Sequence, residues 1–359
     1  MLFNVSNVFR PLETMDKNGT FPETSDEALS KKIAKTTAYV LLFLISVAGN
    51  SFIVWVIHRD KRLRNTTNIL VANMAVSDLL VPVFTIQGEV LDMYCLYTSK
   101  PLNNDFGLGL CKLVHFFQEV SVVVSIYSCI FIAIDRYFAV VYPLKRGFSK
   151  TRLKYIIPGI WIFALMMGAP NLYKYRIVNG KGHKICQEDW SPAGVPHMEA
   201  MRIQMFILFS LLNGLPIPFI TVLYVLICIK LRNQKGPGVV GDAARARRQR
   251  QNNKVLKLSI VIVCLLFFSW LFLDIVLFLG LLGELDSLPV ITAANIVFAA
   301  RFIAYSSSSY NIFVYLIFTK NYREHLKILV SLVCCKGSAN SLPISSSDQK
   351  RVGQSPEHH

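Results

Sequence analysis

The chain has 359 residues and a formal net charge of +16, yet only 17% of its residues are charged, while 53% are hydrophobic and 12% aromatic. A soluble chain of this length would be about one-quarter charged and could not hide so much apolar surface, so a lipid solvent is the simpler account. The basic residues lie between apolar runs, which makes membrane topology a better reason for them than nucleic acid.

Residues 1–35 are polar with no apolar core, so no cleavable leader is read there and the first apolar run is expected to direct insertion. This segment carries two glycosylation sequons, Asn4-Val5-Ser6 and Asn18-Gly19-Thr20. Seven apolar runs follow, at about 36–57, 69–94, 111–137, 155–173, 203–230, 256–282 and 290–318. Each meets the roughly 20 residues that a helix needs to cross the hydrocarbon, where the backbone must satisfy its own hydrogen bonds. The connections are polar or rich in Gly, Pro and Asn, as at Lys235-Gly236-Pro237-Gly238.

A shorter amphipathic pattern through Tyr322, Leu326, Leu329 and Leu332 predicts a helix on the membrane surface over 319–333. The expected architecture is an all-α bundle of seven transmembrane helices over 36–318, this eighth helix, and a disordered tail over 334–359. Most of the 38 lysines and arginines cluster on one side, at Arg59–Arg64, Arg136–Lys154, Lys230–Lys257 and beyond Lys320. The positive-inside rule puts that side in the cytoplasm and the N-terminus outside, in the plasma membrane. Both sequons then lie outside, whereas Asn65-Thr66-Thr67 falls on the cytoplasmic side and is read as a false match. Cys111 and Cys186 are outer positions, where an oxidising environment permits a disulfide.

An ionisable group inside a spanning helix is a functional candidate by default. Asp78, Glu89, Glu119, Asp135, Arg136, Asp274 and Arg301 qualify. Pairing across the bundle is the plain alternative, weighed evenly for Asp274 with Arg301. Asn50, Asp78, Ser125, Ser307, Ser308 and Asn311 form a second polar set at similar depth, explained by inter-helix hydrogen bonds or by a sodium ion at Asp78.

The motifs, taken in order, resemble the rhodopsin-like (class A) G-protein-coupled receptors over nearly the whole spanning length. They are Gly49-Asn50, Asn73-Met74-Ala75-Val76-Ser77-Asp78, Cys111, Asp135-Arg136-Tyr137 with Tyr142-Pro143-Leu144, and Trp161 with Pro170. Pro216 with Tyr224, Ser269-Trp270-Leu271 and Asn311-Ile312-Phe313-Val314-Tyr315 complete the series. The resemblance implies that Asp135 holds Arg136 at rest. Released, Arg136 of the Asp135-Arg136-Tyr137 switch would face a heterotrimeric G protein with Tyr224 and Tyr315 closing around it and Leu144 as an apolar knob. Trp270 would report ligand occupancy from beneath the pocket. Cys334-Cys335 look like palmitoylation sites, and the Ser-rich tail like a substrate for receptor kinases that attracts arrestin.

Two departures from the family pattern stand out. Phe272 and Ile312 occupy places where the family usually has kink-forming prolines, so the sixth and seventh helices should run straighter. The run Ser306–Ser309 can supply bending through hydroxyls that bond the backbone. The acidic residue usual in the family at the base of the sixth helix is absent, with Asn252 near its place, which would leave Arg136 without a cross-helix lock and raise ligand-free signalling.

For the ligand, Gln118 replaces the aspartate of amine receptors, and Tyr305 replaces the lysine of light sensors. Gln118 suits receptors resembling the neuropeptide Y, neuropeptide FF and orexin groups. The stretch Tyr173–Cys186 holds Asn179-Gly180, a hairpin signal in a loop that would keep the pocket open for an extracellular peptide. A pocket of Glu89, His115, Gln118, Glu119, Trp270, Asp274, Arg301 and Tyr305 is expected to take a cationic, amidated peptide, its three carboxylates pairing with an arginine. The alternatives are a lipid or small organic ligand, a constitutively active receptor, or a transporter. No internal repeat supports the last, and no nucleophile elbow, zinc cluster or phosphate loop marks an enzyme.

Overall fold

A computed structural model of the chain describes residues 29–94, 105–142, 148–179, 184–233 and 242–334, with the backbone alone at Asn179, Ile185, Pro192, Asn233, 242–255, Val290 and 332–334. Asn4, Asn18, Leu144 and Cys335 lie outside the described residues, as do the side chains of Asn252 and Cys334.

Seven long helices follow one another: α1 (Leu29–Arg59), α2 (Thr66–Met93), α3 (Asp105–Val141), α4 (Lys150–Lys174), α5 (His197–Arg232), α6 (Asp242–Leu281) and α7 (Val290–Phe318). The first five, together with the Leu256–Leu281 part of α6, are long and apolar enough to cross a membrane. The seventh helix, α7, carries Arg301 and four consecutive serines, and it packs along both α1 and α6. Every predicted span is a helix, but α3 and α6 continue well past their apolar runs. Apolarity marks where the lipid is, whereas backbone hydrogen bonding carries a helix on into polar sequence.

The third helix is the hub. It packs against α2, α4, α5 and α6, and its segment Val120–Ile126 is buried on every side. Such a helix must be apolar or carry small hydroxyls all round, which Val120-Ser121-Val122-Val123-Val124-Ser125-Ile126 achieves. Large apolar side chains instead face outward elsewhere: Ile162 and Met166 on α4, Phe206, Phe219 and Val222 on α5, Phe268 on α6. A water-soluble surface would not present such continuous apolar belts; a lipid-facing one does.

Proline shows its effect where it is present. Pro82 sits in a π-helical turn of α2, Val81–Ile86. A second π turn, Ser210–Gly214, precedes Pro216 in α5, with the Leu215 amide donating to the Ser210 carbonyl at 2.9 Å. Each wide turn absorbs the missing donor and adds a residue to the circuit, turning the side chains nearby. By contrast, α6 and α7 are α-helical without interruption past Phe272 and Ile312. In α7 the Ser306 and Ser308 hydroxyls donate to the Phe302 and Tyr305 carbonyls at 2.7 and 2.8 Å, the backbone bonding expected of that run.

Strands β1 (Tyr175–Asn179) and β2 (Lys184–Glu188) form an antiparallel hairpin after α4. Asn179 pairs with Lys184, so the hairpin expected from Asn179-Gly180 is present; residues 180–183 lie outside the described residues. The Cys111–Cys186 disulfide fastens β2 to the start of α3. As a separate unit, α8 (Lys320–Cys334) is helical close to the predicted span, with a Lys320–Glu324 pair at 3.2 Å one turn apart.

Candidate functional site

At the hairpin end of the bundle the predicted pocket residues separate into three groups. Gln118, Glu119, Trp270 and Asp274 line one cavity of about 130 Å³ between α3, α5 and α6, together with Asn213 and an apolar wall that includes Phe209 and Phe278. Asn213 belongs to the π turn of α5 and donates from Nδ2 to Asp274 Oδ2 at 2.7 Å.

The second group lies between α2 and α7. Arg301 Nη1 reaches Glu89 Oε2 at 3.2 Å, and the Tyr305 hydroxyl donates to Glu89 Oε1 at 2.8 Å. Asp274 and Arg301 are therefore not partners, and Glu89 is neutralised within the protein rather than open to a ligand's arginine. The reason lies in helix packing: α7 presents Arg301 to α2, while Asp274 looks across to α5. His115 is the third departure. Its ring stacks on Tyr175 of the hairpin with centroids 3.6 Å apart, so it supports the loop and does not line the cavity.

The hairpin is held by more than the disulfide. Lys174, only 6% exposed, pairs with Glu188 Oε2 at 3.1 Å and donates to Gln204 Oε1 at 2.8 Å, tying α4, β2 and α5. Outside the bundle, hydrogen bonds from the Ser191 hydroxyl and amide hold the Asp189 carboxyl below its ordinary range. The sequence reading missed both Lys174 and Asn213. Each is a lone polar residue at the edge of or inside an apolar run, a signal as legible as that of Asp274.

Below the cavity, Trp270 donates from Nε1 to the Ser307 hydroxyl at 3.2 Å and meets the Tyr305 ring edge-on at 6.4 Å between centroids. The predicted mid-depth polar set divides in three. Asp78, 5% exposed, accepts from Ser125 at 2.9 Å and from Asn311 at 2.6 Å, joining α2, α3 and α7. Asn50 instead donates to the Ser308 carbonyl at 2.7 Å, and Ser46 to the Ser308 hydroxyl at 3.0 Å, joining α1 to α7. Ser307 belongs with Trp270 and not with Asp78. A further relay, Trp161 to Asn73 at 2.9 Å and Asn73 to Ser128 at 3.0 Å, joins α4, α2 and α3.

At the opposite end, Asp135 is 2% exposed and pairs with Arg136 Nη2 at 2.6 Å. Its Oδ2 also accepts from Thr66 and Thr67 at 3.0 and 2.9 Å, and its Oδ1 from the Phe148 amide at 3.1 Å. Asn65 caps α2 by accepting from the Asn68 amide at 2.9 Å. The Asn65-Thr66-Thr67 triplet thus has a structural use unrelated to sugar. Tyr224 and Tyr315 are buried on α5 and α7, and Tyr137 contacts the Phe138 and Tyr142 rings.

The sequence model of seven-transmembrane receptors of the rhodopsin family matches residues 49–315. Similar proteins include neuropeptide FF receptor 1 of Rattus norvegicus, 28% identical over 80% of this chain and 68% of that receptor. A QRFP-like peptide receptor of Branchiostoma floridae is 29% identical over 86% of this chain and 80% of its own length. The substance-K receptor of Homo sapiens is 27% identical over 83% of the chain and 72% of its own length.

Proposed function

The chain belongs to the rhodopsin family of seven-transmembrane receptors, and from that premise we propose that an extracellular neuropeptide switches it to activate a heterotrimeric G protein. As a receptor of this family it is a multi-pass membrane protein and not an enzyme. The observation that carries the reading is the polar route through the bundle. The cavity floor is Trp270, which is bonded to α7 beside Asn311, and Asn311 in turn holds Asp78 with α3. The third helix then ends at the Asp135–Arg136 pair. A ligand that shifts Trp270 loads one end of this route, and freeing Arg136 is the output at the other.

A peptide suits the hairpin, which the disulfide and Lys174 hold at the cavity end. The similar receptors are named for peptides, including neuropeptide FF, a QRFP-like peptide and an RYamide. Positive-inside orientation puts the hairpin outside and Arg136 in the cytoplasm of a plasma-membrane receptor. Receptor kinases and arrestin act on the serine tail in the same reading, and Cys334 and Cys335 anchor it to membrane lipids. A sodium ion also fits. Asp78 is buried with no ion-pair partner among the described residues, and Ser125 is beside it. These two would hold the ion, which would supply a counter-charge at mid-depth; Ser307 and Ser308 are engaged elsewhere, and Asn50 is tied to Ser308 through Nδ2 with its Oδ1 unpartnered.

Receptor-expressing cells challenged with amidated neuropeptides, amines, nucleotides and lipids test the ligand class. Activation by peptides alone is the expected result. Activation by a lipid or an amine with no peptide response would replace this reading.

A further inference from the structure

We propose that the cavity between α3, α5 and α6 is a guanidinium site, which takes an arginine side chain of the activating ligand through Glu119, Asn213 and Asp274. This rests on the peptide-receptor reading and adds the chemistry of the group bound. Two buried acceptors without a donor converge on the cavity beside the Asp274 carboxylate. Glu119 Oε1 is buried with no hydrogen-bond partner, and so is Oδ1 of Asn213, a residue only 2% exposed. Asp274 Oδ2 fixes which way the amide points. It takes the Asn213 Nδ2–H at 2.7 Å, and a flipped amide would set two oxygens against each other. Asn213 Oδ1 is thus left as an acceptor by necessity.

Among the described residues no cation pairs directly with either carboxylate. Arg301 is spent on Glu89, and Lys174 on Glu188 and Gln204. The Trp270 N–H is spent on Ser307. Buried acceptors without donors, and carboxylates without a counter-charge, are costly unless something else supplies both. A guanidinium does so: it is permanently charged, donates through five N–H groups in one plane and accepts nothing. An ammonium brings only three donors on a point charge. The flanking rings favour the planar group as well. Phe209 and Phe278 line the cavity edge-to-face, with centroids 5.5 Å apart, and guanidinium stacks on aromatic faces.

The test is thermal unfolding of the full chain in detergent with n-propylguanidinium, n-propylammonium or the neutral n-propylurea at matched ionic strength. The wild type is compared with Glu119→Gln and Asp274→Asn. The proposal expects propylguanidinium to raise Tm more than propylammonium and propylurea to leave it unchanged, with the guanidinium shift lost in both variants. It also expects unliganded Glu119→Gln to melt above the wild type, because the substitution removes an uncompensated carboxylate. An equal shift with propylurea, no shift in the wild type, a shift retained in both variants, or Glu119→Gln melting lower would overturn it. The readout needs no G protein. A chain that binds guanidinium but never activates a G protein would sink the signalling reading alone, and a signalling chain without the shift would sink this site alone.

Discussion

Single residues decide how closely the helices approach. Gly49 on α1 faces Ile312 on α7 so closely that a Cβ there would lie 2.7 Å from Ile312 Cγ2. Ile312 occupies the place where relatives usually carry proline, so its branched side chain fills the room that Gly49 leaves. Gly49→Ala should lower stability by about 1–3 kcal/mol through overpacking. Adding Ile312→Ala should restore most of the loss, as read from Tm of the single and double variants. Asp135 is the other residue with many dependants: Arg136, Thr66, Thr67 and the Phe148 amide all share its two oxygens. Thr66→Val with Thr67→Val should slacken Asp135 without removing its charge, raising ligand-free G-protein activation severalfold less than Asp135→Ala does; equal basal activity in all three proteins would argue against the pair as a restraint. The Asp135–Arg136 adjacency was legible in the sequence because neighbours on one chain need no packing to meet. The Glu89–Arg301 pair was not legible, since the rotation of α7 against α2 leaves no trace in hydropathy.

At the scale of elements, turns and ties position the site. The π turn of α5 carries Asn213 to Asp274, and the hairpin lies over His115. The seven spans could be read from composition because lipid demands long apolar runs. The wide turns of α2 and α5 could not, since proline marks a break but not whether it is met by a kink or an added residue. Helix ends were also hidden, as α6 begins at Asp242, well before its apolar run. The hairpin was legible from Asn179-Gly180. Cys186→Ser removes the tie to α3. It should reduce ligand potency at least tenfold at equal surface expression, while basal G-protein activation, which depends on the other end of the bundle, changes little; unchanged potency in a concentration–response curve would remove the hairpin from ligand recognition.

At the scale of the molecule, two features define this bundle: outward apolar belts, and inward polar links that join the cavity floor to α7 and α7 to α2 and α3. The belts fix the solvent, and in the proposed reading the basic clusters give the orientation. Removing the sequons with Ser6→Ala and Thr20→Ala should abolish the mass loss on glycosidase treatment, whereas Thr67→Ala should leave it intact. A glycosylated double variant would contradict an external N-terminus. The central claim is that occupancy of the cavity end is transmitted to Arg136 and there activates a G protein. The most direct measurement is G-protein activation in cells expressing wild type or Arg136→Ala at equal surface density, challenged with amidated peptides. A saturable peptide response in the wild type that disappears in Arg136→Ala is the expected result. A full response in the variant would contradict it.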